Sequence, residues 1–67
     1  MIDVIVNGRR TQIPSGLNVK DAIHALEYKG KGFSLALNGT FVAIATYETT
    51  FVNDNDSLEI LAPIQGG

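Results

Sequence analysis

Ile2-Asp3-Val4-Ile5-Val6-Asn7-Gly8-Arg9-Arg10-Thr11-Gln12-Ile13 is the stretch that decides the fold. Its first five residues are rich in β-branched side chains, which pack well on a pleated surface. Asn7-Gly8 follows, and both residue types accept positive φ, as a two-residue hairpin turn requires. Arg9 to Ile13 then reads as the return strand, closed by Pro14, which has no N–H to give to a ladder. The chain opens on a β-hairpin. Beyond it, Asn18 is a good helix N-cap, and Asp21 puts a carboxylate in the positive first turn. Val19, Ala22, Ile23 and Leu26 recur at i, i+3, i+4 and i+7 as one apolar stripe. The spacing predicts an amphipathic helix of about ten residues, ending near Tyr28 with Gly30 and Gly32 as stop signals.

The remainder returns to strand. Phe33 to Leu37 forms a third strand, Asn38-Gly39 repeats the first turn, and Thr40 to Ala45 pairs back in part. Residues 46 to 56 read as an irregular connection with one buried anchor at Phe51-Val52. Asp54-Asn55-Asp56 makes a turn, and Ser57 to Ala62 is the last strand. The expected order is β-β-α-β-(β)-β: an α+β domain with one mixed four- to five-stranded sheet packed on a single helix. The period of two places Val4, Val6, Leu35, Leu37, Leu58 and Ile60 toward the helix. Asp3, Ile5, Ser34, Ala36, Glu59 and Leu61 take the opposite face. Ile5, Ala36 and Leu61 are apolar there and are expected to cluster on the uncovered sheet as a partner-docking surface. Scattered apolar surface is the plainer alternative.

Sixty-seven residues leave little room for a deep pocket and the shell that holds catalytic groups, so an autonomous enzyme is not expected. The domain spans 1–62, with 63–67 as a flexible tail. A net charge of −2, with Arg9, Arg10, Lys20, Lys29 and Lys31 dispersed, excludes a nucleic-acid footprint. With no cysteine there are no disulfides, no thiolate metal sites and no cysteine nucleophile. No apolar run approaches the roughly 18 residues of a membrane span, and the N-terminus reads as a strand rather than a signal peptide. A cytoplasmic protein is expected. His24 lies off the apolar stripe and reads as solvated. Asp54 and Asp56 lack the further ligands of a calcium loop. Gly30-Lys31-Gly32 lacks the strand-loop-helix context of a phosphate loop. No metal site and no bound cofactor are expected.

The segment Ala62-Pro63-Ile64-Gln65-Gly66-Gly67 carries the chemistry. Two glycines together have the largest backbone entropy to lose on ordering and contribute nothing to a core. They do make an arm thin enough to thread a narrow channel and present a main-chain carboxylate. Fully extended, Pro63 to Gly67 reaches roughly 16 Å. Pro63 stiffens the exit and keeps the arm from extending the last strand. A frayed end is the plainer reading of Gly66-Gly67, and the fold order weighs against it.

This order, closing on Gly-Gly, resembles the ubiquitin-like (β-grasp) sulfur carriers, and most closely the thiamine-biosynthesis carrier family, ThiS. The resemblance covers the whole chain and is carried by Val6-Asn7-Gly8, Leu17-Asn18-Val19 and Gly30-Lys31-Gly32, then by Leu35-Ala36-Leu37-Asn38-Gly39, Asp54 to Ile60 and Gln65-Gly66-Gly67. Val42 to Tyr47 departs from it, lacking the Pro-Arg pair and the Trp common in the family. At the turn before the last strand, Asn55 replaces the usual glycine, an acceptable left-handed residue. The first departure bears on partner contacts, not on the fold or the arm.

The resemblance implies a carrier rather than an enzyme. A ThiF-like adenylating enzyme, of the ubiquitin-activating type, would use ATP and Mg to activate the Gly67 carboxylate. Sulfur from a persulfide donor would then displace AMP and leave a C-terminal thiocarboxylate for thiazole synthase. Ile64 and Gln65 would enter the partner's active site with Gly66. The chemistry calls for activation, since a carboxylate of pKa near ~3.5 is ionised at neutral pH and a poor electrophile. Three alternatives stay open: the molybdopterin-synthase small subunit, a ubiquitin-like protein modifier, and a plain interaction module with an inert tail.

Overall fold

The computed structural model describes residues 1–28 and 34–61. Strand β1 (Ile2–Val6) pairs antiparallel with β2 (Arg9–Ile13), from Ile2 opposite Ile13 to Val6 opposite Arg9. The turn between them holds Asn7 at φ 50° and Gly8 at φ 83°, the left-handed pair the sequence calls for. Helix α1 (Val19–Ala25) follows, with the Asn18 carboxamide accepting from the Asp21 N–H at 2.8 Å as its N-cap. Strands β3 (Ser34–Leu37) and β4 (Thr40–Phe41) form a second hairpin around Asn38-Gly39, at φ 51° and 83°. A 3-10 turn (Ile44–Thr46) precedes β5 (Ser57–Leu61).

The strand order is β2-β1-β5-β3-β4, so the last strand lies in the middle of the sheet. It runs parallel to β1 and antiparallel to β3, which makes the sheet mixed. Val4, Leu35 and Leu58 from the sheet and Val19 and Ala22 from the helix are at most 1% exposed, within one shared core. Fully burying a side chain of Val or Leu size stabilises by about 1.5–3 kcal/mol. Val6 and Ile60 are also buried and Leu37 partly so, on the face the alternation assigns to the helix. None of the described helices is long and apolar enough to cross a membrane.

One local expectation is corrected and two are made narrower. The helix ends at Ala25 rather than near Tyr28, because Glu27 turns left-handed at φ 64°. The Glu27 N–H donates to the His24 carbonyl at 3.0 Å and the Tyr28 N–H to the Ile23 carbonyl at 3.2 Å, a paired-bond helix stop. Gly30 and Gly32 lie outside the described residues. Second, β4 pairs over two residues only: Val42 turns into the core, its N–H donating to the Leu35 carbonyl, and the chain enters the 3-10 turn. Third, Val52 alone of the Phe51-Val52 pair is buried, and Tyr47 joins it as a second anchor. The Val52 N–H donates to the Leu17 carbonyl and the Val19 N–H to the Thr50 carbonyl. These bonds align the segment beside Asn18 and point alternate residues inward. Phe33 and Ala62, expected at the strand ends, fall outside the described residues.

Candidate functional site

The site is organised around β5, the strand after which the sequence runs on to Gly66-Gly67. Both neighbours of β5 hold it with backbone ladders, and both hairpin turns add side-chain bonds. At its start, the Ser57 N–H donates to the Asn38 Oδ1 at 2.9 Å, while the Asn38 Nδ2 donates to the Asp56 Oδ1 at 2.9 Å. Near its end, the Ile60 N–H donates to the Asn7 Oδ1 at 2.7 Å, and the Asn7 Nδ2 donates to the Ile60 carbonyl at 3.1 Å. Short polar side chains that bond backbone groups in this way are the usual alternative to ladder pairing. Before β5, the Asp3 N–H donates to the Asp54 Oδ1 and the Asn53 N–H to the Asp56 Oδ2. Those carboxylates cap backbone in a turn whose middle residue, Asn55, sits at φ 68°.

On the face away from the helix, Ala36 lies opposite both Glu59 and Phe41, and Ser34 opposite Leu61. These residues line a shallow, mainly apolar groove, with Leu61 68% and Phe41 69% exposed. Ala36 and Leu61 thus come together, while Ile5 does not join them. The parallel register sets Ile5 opposite Ser57, four residues from Leu61 and so about 13 Å away along the strand. Past Ile5 the same face turns polar, where Arg10 approaches Asp3 at 3.9 Å and the Gln12 amide donates to Asp3 at 3.1 Å. Phe41 is the groove residue the sequence reading missed. The two-residue turn at Asn38-Gly39 was the available signal, since it sets Phe41 opposite Ala36. Asn7 carried no such signal beyond its turn. His24 is exposed on the helix. Ile64, Gln65, Gly66 and Gly67 lie outside the described residues, as does the expected boundary between domain and tail after residue 62.

A mixed five-stranded sheet over one helix, its central last strand running on toward Gly-Gly, defines a β-grasp domain of the carrier type. Comparison with known proteins narrows the class. The family model described as the ThiS family matches residues 4–67. A crystal structure of a thiamine biosynthesis protein (ThiS) from Geobacter metallireducens is 28% identical, with a TM-score of 0.83 over 98% of this chain and 100% of that one. A solution structure of a thiamine biosynthesis protein from the same organism is also 28% identical, with a TM-score of 0.80 over 98% and 88% of the two chains. An uncharacterized protein, ycf40, from Porphyra purpurea is 23% identical over 66 residues, covering 98% of this chain and 93% of its own. The chain belongs to the ThiS family. Its role is that of a small sulfur carrier in thiamine biosynthesis.

Proposed function

We propose that the working group is the Gly67 carboxylate and that the folded domain exists to be gripped while partners act on that group. The observation that carries this reading is that the family match runs through Gly66-Gly67. In the first step a ThiF-like enzyme binds MgATP and the Gly67 carboxylate attacks the α-phosphate, expelling pyrophosphate. The resulting acyl-adenylate has AMP as a good leaving group, which the free carboxylate lacks. The terminal sulfur of a persulfide donor then attacks the acyl carbon and displaces AMP, giving an acyl disulfide. A thiol reductant cleaves that S–S bond, releasing the thiocarboxylate and leaving donor and reductant joined as a disulfide. Sulfur is a better nucleophile than the oxygen it replaces, and it is delivered to thiazole synthase for ring formation. The chain itself performs no catalysis; it is a co-substrate, and the cytoplasm is its place of work.

Two further parts of the reading concern contact. Ile64, Gln65 and Gly66 enter the partner's active site ahead of the terminal carboxylate. Ala36 and Leu61, with Phe41 beside them, contribute apolar docking surface, and Ile5 contributes from a separate position on the same face. The test is intact-mass and fragment analysis of the chain after incubation with the adenylating enzyme, MgATP, a persulfide donor and a thiol reductant. One oxygen replaced by sulfur, mapped to Gly67, is the expected result. Deletion of Gly67 abolishes the change while the melting transition is retained, because residues outside a core contribute little to its stability. Sulfur found elsewhere in the chain, or a Gly67 deletion that still accepts it, overturns the proposal.

A further inference from the structure

The backbone pairing of β1 with β5 ends where Val6 meets Leu58, since the chain then turns away at Asn7-Gly8. The last ladder bond there is the Asn7 N–H donating to the Leu58 carbonyl at 2.9 Å. Among the described residues, Ile60, two residues further on, has β3 on one side and no strand on the other. The Asn7 carboxamide occupies the open side, accepting from the Ile60 N–H at 2.7 Å and donating to its carbonyl at 3.1 Å. Its nitrogen also lies 3.4 Å from the Tyr28 hydroxyl just past α1, which ties the same group toward the helix. A carboxamide suits this place because it offers a donor and an acceptor together, whereas a carboxylate only accepts. Ile60 stands one residue before the end of β5, and the sequence then continues to Gly66-Gly67.

We propose that Asn7 is a positioning residue of the carrier: by holding Ile60 it fixes the end of β5 from which the sequence continues to Gly67. The functional half of this inference rests on the carrier reading given above. Six residues, if fully extended, would make an arm roughly 20 Å long. In a channel that keeps such an arm straight, a swing of about 10° at its base displaces the carboxylate by about 3 Å, well beyond the ~1 Å misplacement that already slows reactions severely. The effect falls on the rate of the chemical step, because the docking face on the sheet is untouched.

Asn38 supplies an internal control, since it makes a matching grip on the other end of β5. Asn7→Gly and Asn38→Gly both keep the left-handed turn available and remove only the side chain. The experiment measures carrier-dependent pyrophosphate release by a ThiF-like adenylating enzyme with MgATP, at a temperature where every variant is folded. Asn7→Gly is expected to lower kcat about tenfold with KM within about twofold of the unsubstituted chain, and Asn38→Gly to leave both near their starting values. Amide hydrogen exchange, which needs no enzyme, is expected to quicken about tenfold at Ile60 in Asn7→Gly, beyond any change at Leu58, and not to do so in Asn38→Gly. Equal loss of kcat in the two variants, or an unchanged kcat in Asn7→Gly, overturns the positioning role. So does unchanged exchange at Ile60. If the unsubstituted chain is itself not adenylated, the carrier reading fails, and exchange at Ile60 alone decides whether Asn7 holds the base of the arm.

Discussion

The two Asn-Gly turns share their dipeptide and their backbone, yet they hold β5 under different conditions. Asn7 and Asn38 sit at φ 50° and 51°, and each is followed by a glycine at 83°. Asn7 bonds both backbone groups of Ile60 in a partly buried place, whereas the bonds of Asn38 to Ser57 and Asp56 are exposed. A hydrogen bond shielded from water is harder to replace by solvent when broken. Local sequence therefore sets the turn, and the surroundings set how much the side chain contributes.

The largest expected effect comes from Asn7→Ala. It removes the two hydrogen bonds to Ile60 at about 1 kcal/mol each and forces alanine into a left-handed conformation at a further 1–2 kcal/mol or so, for a total of about 3–4 kcal/mol. Asn38→Ala carries the same strain with solvent able to replace the lost bonds, so urea denaturation should give a smaller loss. Equal losses at the two sites would break the comparison. A medium effect sharpens it at a third left-handed site, where no carboxamide compensates. Glu27 closes the helix at φ 64°, so Glu27→Gly should stabilise by about 0.5–1 kcal/mol in the same assay, and a loss of stability there would contradict the account of the helix stop.

The smallest effect concerns Tyr47, whose buried hydroxyl has no hydrogen-bond partner among the described residues. Burial pushes the phenol above its ordinary value near 10.0. Below that value both folded and unfolded chains keep the proton, and stability does not depend on this group. As pH rises past it the unfolded chain ionises first, and stability falls through the folded value. Tyr47→Phe should change stability by less than about 1 kcal/mol at neutral pH and flatten the alkaline decline. Denaturation curves on the two proteins above and below about pH 10 make the check.

The hairpins, the N-cap at Asn18 and the inward set from Val4 to Ile60 were legible because each depends on neighbours in sequence. The helix end was not, since glutamate is a poor advertisement for a left-handed stop. Nor was the brevity of β4, which follows from Val42 turning into the core. Contacts spanning long stretches were the least accessible. Nothing near Asn7 announces a bond to Ile60, 53 positions away, and the separation of Ile5 from Leu61 depends on a parallel register that local patterning does not encode. Ala36 and Leu61 could be assigned a face by alternation alone. Phe41, brought beside them, needed the exact pairing of the second hairpin.

The central place of β5 has a consequence for synthesis on the ribosome. Residues 57–61 are made after both hairpins and the helix, yet they are the seam that joins one hairpin to the other. Until that segment emerges, the two halves have no common sheet, and pairings between distant parts of a chain form slowly. A nascent chain stalled short of this strand would remain an open, unfinished body, so the carrier's terminus and the surface that displays it become competent together.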